Sequence, residues 1–172
     1  MASRKRSSIP HTESEGIDLM LKQGKSNARL FMNTTLIGVA FTIFTLLVTL
    51  QTSTLANNEF LTMQLVLSIP FLLTSTLADT KLSYTKHEKH WDTLGWSNFI
   101  IGYGFLLNVV GILVYHLIGF WPALTFFLVN MALMMLYSAV QISYDRTAMY
   151  RRVAKDMVFI AVLLFFGIMQ IL

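Results

Sequence analysis

The sequence predicts an all-α fold: a polytopic membrane helix bundle of about five transmembrane helices, preceded by an amphipathic helix at the membrane interface. Three observations lead there. The 172 residues are 55% hydrophobic and only 13% charged, whereas a soluble domain is about a quarter charged. The charges are clumped, leaving long apolar runs between them. Lysine and arginine are confined to alternate connections between those runs.

The apolar runs cover residues 30–50, 60–78, 98–118, 121–143 and 157–172. A spanning helix needs roughly 20 apolar residues, with about 17 as a practical minimum. The first four runs meet this. The fifth reaches it with Val153 and Ala154, while Lys155 snorkels toward the surface; a re-entrant or surface-lying helix is its alternative. Every Lys and Arg lies before the first run, after the second (Lys81, Lys86, Lys89) or after the fourth (Arg146, Arg151, Arg152, Lys155). By the positive-inside rule the N-terminus is expected in the cytoplasm and the C-terminus on the far side. Trp91 and Trp96 then mark the inner interface and Trp121 the outer one. Pro122 suits a helix start. Pro70, inside the second run, frees a carbonyl near Val66 that Ser68 or a neighbouring helix must satisfy.

Residues 1–29 read as a cytoplasmic basic tail and amphipathic helix, and 30–172 as the transmembrane domain. The start is basic (Arg4, Lys5, Arg6), but no apolar core follows directly, so it is not expected to be a secretory signal. Thr12 and Glu15 have capping-box spacing. Ile17, Met20, Leu21, Gly24 and Ala28 form one stripe, with Asp18, Lys22, Gln23 and Lys25 facing away. Such a helix would lie on the inner leaflet, near anionic head groups. Gly16 and Gly24 each cost about 1 kcal/mol relative to Ala in a helix interior, which makes a frayed linker the alternative. After the second run no helix breaker comes until Gly95, so that helix is expected to run on past the membrane.

Each span carries a polar or small face. In the first, Thr35, Gly38, Thr42, Thr45, Thr49 and Thr52 alternate at spacings of three and four, one stripe of one helix. The second has Gln64, Ser68 and Ser75, with Asp79 at its inner end. The third has Gly104, Asn108, Gly111 and Tyr115. The fourth has Asn130, Met134, Tyr137, Gln141 and Tyr144. Lipid satisfies none of these groups, so the faces should point at protein or water. Helix packing is one reading: small residues admit close backbones, and Asn108, Asn130 and Gln141 hydrogen-bond between helices. A water-filled path is the other. One chain has too few helices to surround a wide pore, but several copies can place the first span around a shared axis. Both readings of the threonine seam require self-association.

Candidate chemistry is sparse. No acid or base falls mid-membrane apart from His116 near the outer end of the third span. Proton relays need buried carboxylates and voltage sensors an arginine ladder, so neither is expected. HEKHWD brings His87, Glu88, His90 and Asp92 together, but it lacks the i, i+4 histidine pair of a zinc-binding HExxH helix, and solvated loop charges explain it. No nucleophile elbow, phosphate loop or dinucleotide fingerprint is present, and no acid–base pair shares one depth. No catalytic residue, metal or cofactor is expected, no nucleic-acid partner, and not an enzyme. There is no cysteine.

A basic cytoplasmic helix leading into a pore-candidate first span resembles the Orai-type calcium channels. Those channels carry an acidic ring in the outer part of that span, whereas the outer acid here, Glu59, follows it. No residue role is carried over.

The expected function is therefore a homo-oligomeric pathway for an ion or small solute, lined by the first-span threonines. Glu59 would attract cations at the outer mouth, and Lys22, Lys25 and Arg29 would form the inner mouth. The alternative is a non-catalytic accessory or assembly subunit that docks other membrane chains through the same faces. Compactness and the cytoplasmic position of the Asn33-Thr34-Thr35 sequon point to a bacterial or archaeal plasma membrane.

Overall fold

A computed structural model describes residues 11–50, 58–82, 88–144, 146 and 149–172. Those residues are helical, with no strand among them. The helices are α1 (His11–Leu50), α2 (Glu59–Leu82), α3 (Glu88–Leu117), α4 (Phe120–Tyr144) and α5 (Met149–Leu163). A π-helical turn, Leu164–Ile168, and a last short helix α6, Met169–Ile171, continue α5.

Five stretches are long and apolar enough to cross a membrane: Ser26–Thr49, Glu59–Leu82, His90–Leu117, Phe120–Ser143 and Arg152–Ile171. They match the five runs expected of a multi-pass membrane protein. The fifth gains its length from the residues before Met157, giving 20 residues. Large apolar side chains on the outside agree with a lipid solvent: Leu46, Leu73, Leu128 and Leu136 are all about half exposed or more. Lipid covers such a surface at no cost, whereas water would not.

Local chemistry sets the helix ends. Asn58 caps α2, its Oδ1 accepting from the Leu61 amide at 3.1 Å. Gly119 makes the tight turn between α3 and α4, with φ of 124°, where a side chain is strained. Its amide, like that of Ile118, is held by the Val114 carbonyl. Pro122 sits in the first turn of α4, where a missing N–H costs nothing. Pro70 is inside α2 and faces outward. The nearby Ser68 hydroxyl donates to the Leu65 carbonyl at 2.7 Å, and the Thr74 hydroxyl to the Pro70 carbonyl at 2.8 Å.

The bundle is built around α3. Half of its spanning window is buried, against 11% for α1. α3 packs along α2 and against α4 and α5, whereas α1 rests mainly on α2. Gly102 lets α3 approach α2 closely: a Cβ there would come within 3.1 Å of the Ser68 carbonyl oxygen. Leu61, Leu65, Val109, Ile112, Phe127, Phe159 and Leu163 fill the core. Phe99, Tyr103 and Phe159 stack in series across α3 and α5, with centroids 5.6 and 6.1 Å apart.

α1 is one unbroken helix of 40 residues. It runs without a break from His11 into the first span. α2 runs to Leu82, beyond the apolar run, as the lack of a breaker requires.

Candidate functional site

At the end of the bundle where α1 enters and α5 begins, a polar cluster joins three helices. Ser26, Arg29 and Asn33 follow at spacings of three and four on one face of α1. Ser75 and Asp79 are one turn apart on α2, and Asp92 lies in the first turns of α3. The Arg29 guanidinium bridges two carboxylates, at 3.2 Å from Asp79 and 2.9 Å from Asp92. The Ser26 hydroxyl donates to the Asp79 backbone carbonyl at 2.9 Å. The Asn33 amide donates to Ser75 Oγ at 3.1 Å and to Asp79 Oδ2 at 3.4 Å. Asp79 is 2% exposed. A carboxylate that deep keeps its charge only with such partners.

Beside this cluster, α1 is separated from α4 and α5 by two adjoining cavities of about 580 and 390 Å³. They share Arg29, Met32, Trp96, Met134 and Tyr137 as walls. The larger also meets Gln141, Arg152, Lys155 and Asp156; the smaller reaches Asn33, Ser75 and Asp79. Lys155 Nζ lies 4.0 Å from the centre of the Trp96 ring, a cation–π contact. Ser138 donates to Asp156 at 2.8 Å, and Arg152 donates to the Gln141 carbonyl.

Deeper in the bundle a second polar cluster is fully buried. Asn108 Nδ2 donates to Gln64 Oε1 at 2.9 Å and to the Val162 carbonyl at 3.2 Å. Gln64 Nε2 donates to the Phe166 carbonyl at 3.0 Å. The Phe166 carbonyl belongs to the π-helical turn and the Val162 carbonyl to the end of α5 just before it, and π-helical turns recur at functional sites. Here Asn108 and the glycines beside it form a packing face: Gly104 meets Val162, and Gly111 meets Phe127.

The first-span seam behaves differently. Thr35, Thr42, Thr45 and Thr49 are exposed, and nothing lies within 4 Å of the Cβ position at Gly38. α1 packs through Ser26, Asn33, Ala40 and the half-buried Leu36, Ile43 and Leu47. On a helix of about 3.6 residues per turn, the seam is opposite to that face. Each hydroxyl donates to the carbonyl four residues back, Thr35 to Phe31 and Thr42 to Gly38 at 2.9 Å. Thr52 lies outside the described residues, as do His87 and the side chains of Lys22 and Lys25.

Of the remaining expected residues, Glu59 is exposed at the first turn of α2, beside Thr62 and Met63. Arg29 faces Asp79 and Asp92 inside the bundle, turned away from the seam it was expected to accompany. Asn130 donates to the Phe126 carbonyl of its own helix at 2.8 Å, not between helices. Gln141 Nε2 donates to the Tyr137 hydroxyl of its own helix, and it is the Gln141 backbone carbonyl, accepting from Arg152, that joins α4 to α5. His90 is exposed, and Asp92 of the same motif is turned to Arg29. The Arg29–Asp79 pairing was missed by sequence reasoning. The signal was present as two polar stripes of helical spacing, Ser26-Arg29-Asn33 and Gln64-Ser68-Ser75-Asp79, whose charges are opposite. No family model, curated protein or solved structure matches this chain.

Proposed function

We propose that the chain is a non-catalytic multi-pass membrane protein that self-associates through the threonine face of α1 and in that assembly forms a pathway for an ion or small solute. One observation carries the reading: the face bearing Thr35, Gly38, Thr42, Thr45 and Thr49 remains open when the chain's own bundle is complete. With each hydroxyl proton directed at its own helix, the oxygens keep outward lone pairs. A column of acceptors suits a cation or a neutral polar solute better than an anion. Arg29 adds little positive charge to that mouth, being paired with two carboxylates. The proposed orientation places the N-terminus in the cytoplasm of a plasma-membrane protein, with the start of α1 near anionic head groups and Glu59 at the outer mouth.

The second reading is an accessory subunit that docks other membrane chains through the same face. It is favoured by the self-satisfied hydroxyls, which need no water. Mass measurement of the purified protein in nanodiscs separates the two: the pathway reading expects a closed ring of one chain, and the accessory reading copurifying foreign subunits. Liposomes containing the purified chain should then pass a cation, and Thr42→Leu with Thr49→Leu should abolish both ring and flux. A monomer that carries no flux, unchanged by the two substitutions, sinks the pathway.

A further inference from the structure

We propose that the smaller of the two cavities beside α1 binds a neutral, carbonyl-bearing ring, the chemistry of a membrane quinone. The site is formed within one chain and uses none of the threonine seam.

The first argument is a set of donors without acceptors. Arg29, Trp96 and Tyr137, from α1, α3 and α4, are walls of both cavities. Arg29 Nη1 makes the bonds to Asp79 and Asp92, which leaves the hydrogens of Nε and Nη2 without an acceptor among the described residues. The Tyr137 hydroxyl accepts from Gln141, and its own proton has no acceptor among them. The indole N–H of Trp96 has none either. Unlike Asn33 Oδ1, which is sealed off, none of these groups is fully enclosed. Donors from three helices that line one gap call for an acceptor. A carbonyl oxygen, with two lone pairs and no proton, is one.

The second argument is charge. The charged residues in the lining of the smaller cavity are Arg29 and Asp79, and they meet each other at 3.2 Å. The guanidinium is already held by two carboxylates, so a ligand oxygen gains a hydrogen bond there rather than a new ion pair. A ligand anion would be brought beside the Asp79 carboxylate. A neutral ligand meets no such repulsion.

The third argument is the walls. Every residue lining the smaller cavity lies within a spanning stretch, and a lipid-soluble ligand matches that depth. Trp96, Phe99 and Tyr137 supply aromatic rings, and Met32 and Met134 supply adaptable thioethers that pack well against rings. Such walls favour a flat ring over the flexible glycerol ester of a lipid, whose carbonyls offer the same acceptor. The volume, about 390 Å³, falls within the range of small-ligand sites, about 300–1,000 Å³.

Native mass spectrometry of the full chain in a neutral detergent tests this with three probes: decylubiquinone, didecanoylglycerol and decanoate. They present carbonyls on a ring, carbonyls on an ester and a carboxylate. The expected result is retention of decylubiquinone about tenfold over each of the others. Tyr137→Phe and Trp96→Phe keep an aromatic ring and remove one donor each, so each should weaken that retention about fivefold. Tyr137 is exposed, so Tyr137→Phe carries the comparison if Trp96→Phe does not fold. Stronger retention of didecanoylglycerol overturns the ring in favour of a glycerolipid carbonyl, and stronger retention of decanoate overturns the neutral ligand. Equal retention of the three probes, or retention of decylubiquinone untouched by the substitutions, overturns the proposal; water alone then meets the donors.

Discussion

The guanidinium of Arg29 lies 3.2 Å from the Asp79 carboxylate, linking α1 to α2 across 50 residues of sequence. It fixes the least buried helix of the bundle to the rest. Asp79 is nearly inaccessible, so its charge depends on that partner and on Asn33. Arg29→Met should destabilise the chain by about 3 kcal/mol, the lower end for a broken buried pair because Arg29 keeps a quarter of its exposure. Adding Asp79→Asn to Arg29→Met should recover part of the loss, because the more buried of the two carboxylates Arg29 bridges is then neutral, while Asp92 keeps some contact with solvent. Denaturant unfolding in mixed micelles measures both. A double variant as unstable as the sum of its parts contradicts the pairing.

Asn108 should behave as a structural hub. Asn108→Leu leaves the Gln64 Oε1 acceptor and the Val162 carbonyl without their donor. The expected cost is about 1–3 kcal/mol. Gln64→Leu together with Asn108→Leu should cost less than the two single changes added, because both ends of the bond then go. The same unfolding assay reads the coupling, and strict additivity would count against the network.

Glycine substitutions should sort by position. A Cβ at Gly111 or Gly167 would overlap the Phe127 ring, whose side chain is fully buried. Gly111→Ala and Gly167→Ala should each destabilise by about 1–3 kcal/mol through overpacking. Gly38 has open space, so Gly38→Ala should leave the monomer unharmed or gain up to about 1 kcal/mol from helix propensity. Thermal unfolding ranks the three. Equal losses at all three would place α1 differently from the structure.

Orientation is open to a direct test because the chain has no cysteine of its own. Asn58→Cys and Lys81→Cys mark opposite ends of α2. A membrane-impermeant thiol reagent applied outside intact cells should label the first and spare the second. The reverse pattern inverts the proposed orientation, and labelling of both removes α2 as a span.

The number of helices was written in the sequence. Apolar length alone separates membrane spans from connections, since lipid excludes charge whatever the helix packs against. Asn58 and Gly119 act locally, so the helix ends they set were open to the same reasoning. The π-helical turn had no such local mark: it accompanies the contacts Gln64 and Asn108 make with the Phe166 and Val162 carbonyls.

Which face of each helix is buried was decided by the tertiary structure. α1 bears two stripes of equal helical spacing, Ser26-Arg29-Asn33 and Thr35-Gly38-Thr42-Thr45-Thr49, on opposite sides. Periodicity cannot rank them, because a stripe records which residues share a face and not what the face meets. Asp79 ranks them, by offering from a distant helix a carboxylate that Arg29 meets at 3.2 Å. That pairing turns the polar stripe inward, opens the cleft beside it, and leaves the threonines outside.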